Sequence, residues 1–147
     1  MATKGQPVNK VALLLATSSS KVAQKPDEKT LYVSPKKVEA AVKAYFKDIP
    51  LMADIAQCES HYHQYASNGN IYRGSINTSD VGVMQINEKY HLQTSKKMGL
   101  DIYTLKGNMA YARYLYTSQG SEPWISSSAC WDNVAKSAAS SSVAINK

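Results

Sequence analysis

Apolar aromatic volume is scarce in this chain: one phenylalanine and two tryptophans stand beside ten tyrosines in 147 residues. Most of its rings therefore carry a polar tip, which suits the wall of a wet groove better than a dry core. Long apolar runs are missing as well. Val11–Ala16 spans six residues, far short of the roughly 18 that a membrane helix needs, which excludes a spanning protein. Only two cysteines are present, Cys58 and Cys130, and neither belongs to a CxxC pair, which excludes zinc-ribbon and thioredoxin-like readings. At 44% hydrophobic residues the chain is too apolar to be wholly disordered. Its length suits one domain with tails.

The central part of the chain also lacks net charge. Residues 38–131 hold eight basic and eight acidic residues, whereas residues 1–37 hold seven lysines against two acids. The excess of +6 thus lies almost wholly in the ends. Nucleic-acid binding calls for a basic face on the folded body and is not expected here. Residues 1–33 read as a flexible basic arm or a degraded signal segment: Lys4 and Lys10 precede the apolar Val11–Ala16, but that run is short and no small-x-small cleavage site follows it. Residues 132–147 are rich in Ser, Ala and Lys and read as a disordered tail. The folded unit is expected over 34–131.

Within that unit Ser34-Pro35 is a helix start, with Ser at the N-cap and Pro in the first turn. Val38, Ala41, Val42 and Tyr45 follow at helical spacing. The helix must stop before Pro50, and Pro50 can open a second one. Asn68-Gly69-Asn70 and the alternating stretches after it suggest a small β-hairpin or meander. Val81–Ile86 follows and leads into Asn87, and Gly82 permits close approach of another segment or a ligand. Further helices are expected near Gln93–Met98, ended by Gly99, and from Leu105 to Ser118, capped by Gly120. The picture is mostly helical with one small sheet inserted after the second helix, an α+β arrangement.

Glu59 is the first residue with chemical content. It follows Met52 by seven and Ile55 by four, so it projects from the apolar face of the second helix near its end. Burial disfavours a charged carboxylate and raises its pKa, and an acid that keeps its proton near neutrality is what general acid catalysis requires. An ion pair, or the surfacing of the helix, is the structural alternative. His61-Tyr-His63 beside Cys58 has the letters of a metal site, but no further ligand at zinc spacing accompanies it, and no metal is expected. A Cys58 thiol nucleophile would need one of these histidines as its base, and its Gln-Cys-Glu-Ser setting resembles no thiol-enzyme motif.

Four stretches taken together resemble the lysozyme-like superfamily, and more narrowly the soluble lytic transglycosylase (SLT) domain: Cys58-Glu59-Ser60, Asp80-Val-Gly-Val-Met-Gln-Ile-Asn87, Asn108-Met-Ala-Tyr-Ala-Arg-Tyr114, and Trp124 with Cys130-Trp131. The resemblance covers about residues 50–131. It implies a lysozyme-like α+β fold, mostly helical, with a small β-hairpin beside an active-site groove. It implies cleavage of the β-1,4 bond between N-acetylmuramic acid and N-acetylglucosamine in peptidoglycan. Glu59 matches the catalytic acid. Ser60 matches the family's serine as support for the helix end, and Gly82, Met84 and Gln85 match a groove-lining strand. Gln85 and Asn87 would bond acetamido groups, since amides both donate and accept. Tyr90 and His91 stand where c-type lysozymes, which are similar here, place sugar-contacting aromatics. Tyr111 and Trp124 are candidates for the far wall or for core packing.

Asp80 decides between two mechanisms. It aligns with the second carboxylate of c-type lysozymes, which would give a hydrolase with two carboxyl groups. Lytic transglycosylases work with one Glu, and an Asp at this place also occurs in their small members, or serves as a turn residue. A lysozyme-like module that binds peptidoglycan without cleaving it is the rival of another class. The resemblance implies no cofactor, a monomer acting on glycan strands, and a place in the periplasm, cell wall or medium. A Cys58–Cys130 disulfide would fit that place; two buried thiols are the alternative.

Overall fold

The computed structural model describes residues 34–143, with side chains to 137. The basic arm with its signal-like run, and residues 144–147, lie outside the described residues. Helix α1 is Pro35–Tyr45 and opens as expected on Pro35 after Ser34, whose carbonyl rather than side chain takes the first amide bonds. Its buried face is Val38 and Val42. Helix α2 is Leu51–Ser60 and buries Met52, Ala53, Ile55, Ala56 and Ser60. It ends abruptly because His61 and Tyr62 both adopt left-handed backbone, at φ 51° and 60°.

The chain then runs irregularly, tied by single bridges between Tyr65 and Ile71 and between Arg73 and Val81. The sheet consists of β1 (Asp80–Val81) and β2 (Ile86–Asn87), antiparallel, with Asp80 opposite Asn87 and Val81 opposite Ile86. Gly82, Met84 and Gln85, which the resemblance puts on a groove-lining strand, thus lie in the tight turn between these two short strands. Gly82 at φ 73° and Gln85 at φ 50° reverse the chain between the two strands.

Helix α3 is Glu88–Lys97, one and a half turns longer at its start than the sequence suggested, because Asn87 caps it by accepting from the Lys89 amide. Helix α4 is Leu105–Gln119, with Thr104 capping the Gly107 amide and Gly120 closing the end. A 3₁₀ helix, Glu122–Ser127, leads into α5, Ser128–Val143. The Ser/Ala-rich segment 132–143, expected to be disordered, is therefore helical. Its first turn is anchored by Cys130 and the buried Trp131, so nucleation is already met and alanine extends the helix readily.

Five α-helices among the described residues surround one core that includes Phe46, Met52, Ile55, Met84, Ile102, Leu105 and Tyr111. Arg113 on α4 clamps the end of α1, donating twice to Asp48 and once to the Tyr45 carbonyl. That guanidinium holds the Asp48 carboxyl down to about 2. Cys58 on α2 is bonded to Cys130 on α5, so the thiol-nucleophile reading of Cys58 does not hold. Among the described residues no helix is long and apolar enough to cross a membrane.

Candidate active site

The hairpin turn at 82–85 is organised by two buried amides. Gln64 Oε1 accepts from the Val83 amide at 2.8 Å, and Asn108 Oδ1 accepts from the Met84 amide at 2.9 Å. Asn108 Nδ2 donates to the carbonyls of Val81 and Ile102 at 2.9 and 2.8 Å. A side chain at position 82 would collide with both amides: a Cβ there would stand 2.5 Å from Asn108 Nδ2 and 2.7 Å from Gln64 Oε1. Gly82 therefore admits other segments of the chain, and its backbone is not open to a ligand.

The turn is joined to the helices on either side. Ser60, at the end of α2, donates to the Val83 carbonyl at 2.8 Å. Trp124, in the 3₁₀ helix, donates its indole N–H to the Met84 carbonyl at 2.9 Å. The disulfide adds a covalent tie beside these, so the end of α2, the turn and the 3₁₀ helix are held together by side chains far apart in sequence.

Between them lies a cleft of about 130 Å³ that contains Glu59, Asp80, Gln85, Asn87, His91 and Trp124 in its lining. Whole-ligand pockets run to ~300–1,000 Å³, so this one surrounds a single bond or ring rather than a whole ligand. Glu59 is half-buried there. Burial pushes its carboxyl above the ordinary glutamate value, the hydrogen bond from Ser127 works against that rise, and the neighbouring Asp80 adds to it. Ser127 Oγ lies 2.5 Å from Glu59 Oε1. No lysine or arginine lines the cleft, and burial lowers the pKa of His91, which favours its neutral ring. Nothing cationic there opposes the retention of a proton by Glu59.

Asp80 faces the same cleft with Oδ1 accepting from Asn87 Nδ2 at 2.7 Å and from Asn77 Nδ2 at 3.2 Å. The cleft thus pairs a desolvated carboxyl with a hydrogen-bonded one.

Of the residues singled out in sequence, the cleft gathers Glu59, Asp80, Gln85, Asn87, His91 and Trp124. Others stand elsewhere. Ser60 and Met84 have no exposed surface: the serine staples α2 to the turn, and the methionine belongs to the core. Tyr111 is 1% exposed and its hydroxyl is hydrogen-bonded with His91 Nδ1 at 3.0 Å, so it backs the wall from inside. Tyr90 is 79% exposed and does not line the cleft, because the early start of α3 turns it outward. Gln85 spends its Nε2 on the Gly82 carbonyl at 2.8 Å, which fixes its orientation. His63 is engaged with the Ser60 carbonyl and stacked on Tyr72. Among the described residues no three His, Cys, Asp or Glu groups are placed to hold a metal ion.

Sequence patterning assigns no role to Ser127, Gln64 or Asn108. The signal for Ser127 is the bond between Cys58 and Cys130, which brings the residue three before Cys130 to the neighbour of Cys58. No protein-family model, curated protein or solved structure matches this chain.

Proposed function

We propose that the chain is a lysozyme-like lytic transglycosylase that cleaves the β-1,4 bond between N-acetylmuramic acid and N-acetylglucosamine in peptidoglycan. The observation that carries this reading is Glu59: a carboxyl raised by burial, in a cleft without a lysine or arginine, opposite Asp80. The sequence resemblance assigns its acid to the same residue. Glu59 protonates the glycosidic oxygen as the C1–O bond breaks. Its carboxylate then removes the proton from the C6 hydroxyl of the same muramic acid as that oxygen bonds C1. A 1,6-anhydro product leaves, and Glu59 regains its proton without water being consumed. Gln85, whose Nε2 is held by the Gly82 carbonyl, and Asn87 line the cleft where acetamido substituents would lie.

The reaction asks for no cofactor, and a monomer on glycan strands suffices for it. Its substrate lies outside the cytoplasm, and the Cys58–Cys130 bond suits an oxidising compartment. The presence of Asp80 in the cleft favours one second reading, a hydrolytic lysozyme that uses Glu59 and Asp80 together. The test is release of soluble muropeptides from purified peptidoglycan. Wild-type protein should release them, Glu59→Gln should release none while still folded, and a folded wild type without turnover would refute both readings in favour of a binding module.

A further inference from the structure

The hydroxyl of Ser127 faces two oxygens at once. Its Oγ lies 2.5 Å from Glu59 Oε1 and 3.0 Å from the Trp124 carbonyl. A serine hydroxyl has one hydrogen to give and two lone pairs to receive with. A carbonyl can only accept. Both short contacts are therefore fully made in one arrangement alone: Glu59 carries the proton and donates it to Ser127 Oγ, while Ser127 donates to Trp124. When Glu59 is ionised, the same hydroxyl turns its hydrogen to the carboxylate. The Trp124 carbonyl is not abandoned then, because the Trp131 indole N–H also reaches it, at 3.2 Å. No polar group loses its last partner in either state. The surroundings hold Ser127 in place for both: Trp124 is fixed to the turn through Met84, and Cys130, one helical turn on, is bonded to Cys58 beside Glu59.

We infer that Ser127 is a two-way positioning residue for Glu59, accepting from its acid form and donating to its carboxylate, so that Glu59 gives and retakes a proton without rearranging its surroundings. This rests on the reading of Glu59 as acid and base, and it extends that reading to a residue that touches no substrate. The other titratable groups facing Glu59 across the cleft are Asp80 from β1 and His91 from α3. Asp80 Oδ1 accepts from Asn77 and Asn87, and His91 Nδ1 is paired with the Tyr111 hydroxyl.

The test compares Ser127→Ala and Ser127→Thr with wild type in the full chain, with folding checked by circular dichroism. The carboxyl of Glu59 is titrated by carbon-13 NMR, and kcat and KM are measured on peptidoglycan across pH. Donation by Ser127 to the carboxylate lowers the Glu59 pKa and acceptance from the acid form offsets it, so Ser127→Ala should raise that pKa by less than about one unit. It should also lower kcat about tenfold with KM little changed, less than the ~10²–10⁴-fold that a general acid–base group itself contributes, and Ser127→Thr should restore kcat. A shift of about one unit or more in either direction would overturn the inference, because it marks a partner that serves one charge state only. So would a kcat in Ser127→Ala equal to wild type. The titration reads without turnover: an inactive wild type defeats the proposed function, and the NMR arm still decides whether Ser127 serves both states of the carboxyl.

Discussion

Replacing Asn108 by alanine should unfold the site from within. Asn108 has no exposed surface, and its amide alone joins α4 to the Met84 amide and to the carbonyls of Val81 and Ile102. Truncation leaves one buried donor and two buried acceptors without that partner. A buried polar group left unmet costs about 1–3 kcal/mol, and partial relaxation of the turn recovers some of the total. The expected loss is about 3–5 kcal/mol, a large part of the ~5–15 kcal/mol by which a domain is stable. Urea unfolding at 25 °C reads it, with far-UV circular dichroism and the fluorescence of Trp124 and Trp131 as separate probes. Asn108→Asp is the sharper variant, because it keeps the shape and turns a carboxyl oxygen toward two carbonyl oxygens. Losses under about 1 kcal/mol in both variants, less than one unmet buried group costs, would refute the view that the turn is held by buried amides.

Gly82→Ala should destabilise by at least about 2 kcal/mol, since a residue with a side chain is strained at positive φ and its Cβ would displace Asn108 and Gln64; an unchanged urea midpoint would contradict this. Removing the disulfide with the double variant Cys58→Ala, Cys130→Ala frees a loop spanning 72 residues in sequence, worth about 4 kcal/mol in the chain-entropy picture; a melting temperature equal to wild type would contradict it. Glu59→Gln should stabilise the fold at neutral pH. The raised pKa of Glu59 means that the native state resists its ionisation, so stability falls as pH rises above the unfolded value of ~4.3 and through the higher folded one. Glutamine escapes that loss, and its advantage should vanish below about pH 4, where both states are protonated. Melting curves from pH 3 to 8 that run parallel for the two proteins would contradict the desolvation of Glu59.

What could be read from the chain is what local chemistry decides. Pro35, Pro50, Gly99 and Gly120 punctuate helices whatever the tertiary setting, and α1, α2 and α4 lie where those signals put them. The position of Glu59 follows from helical spacing alone. The reversal at 82–85 was hidden because its left-handed Gln85 is imposed by amides 21 and 23 residues away in sequence, Gln64 and Asn108. The outward turn of Tyr90 depends on a cap at Asn87 that a resemblance of letters does not carry. The burial of Met84 and Tyr111 separates what packs behind a groove from what faces it, a distinction that motif matching blurs because both kinds of residue recur in the same stretch. Composition misled at residues 132–143, where serine and alanine fit a disordered tail as well as a helix anchored by one bonded cysteine and one buried tryptophan.

The central claim is that Glu59 cleaves the glycan by returning its proton from within the substrate. Mass spectrometry of the muropeptides released from purified peptidoglycan tests it most directly, with Glu59→Gln measured beside wild type. The account expects 1,6-anhydromuramyl products from wild type and none from the variant. Products one water heavier, ending in reducing sugars, would contradict it and give the second carboxylate, Asp80, the catalytic part that transglycosylation does not require.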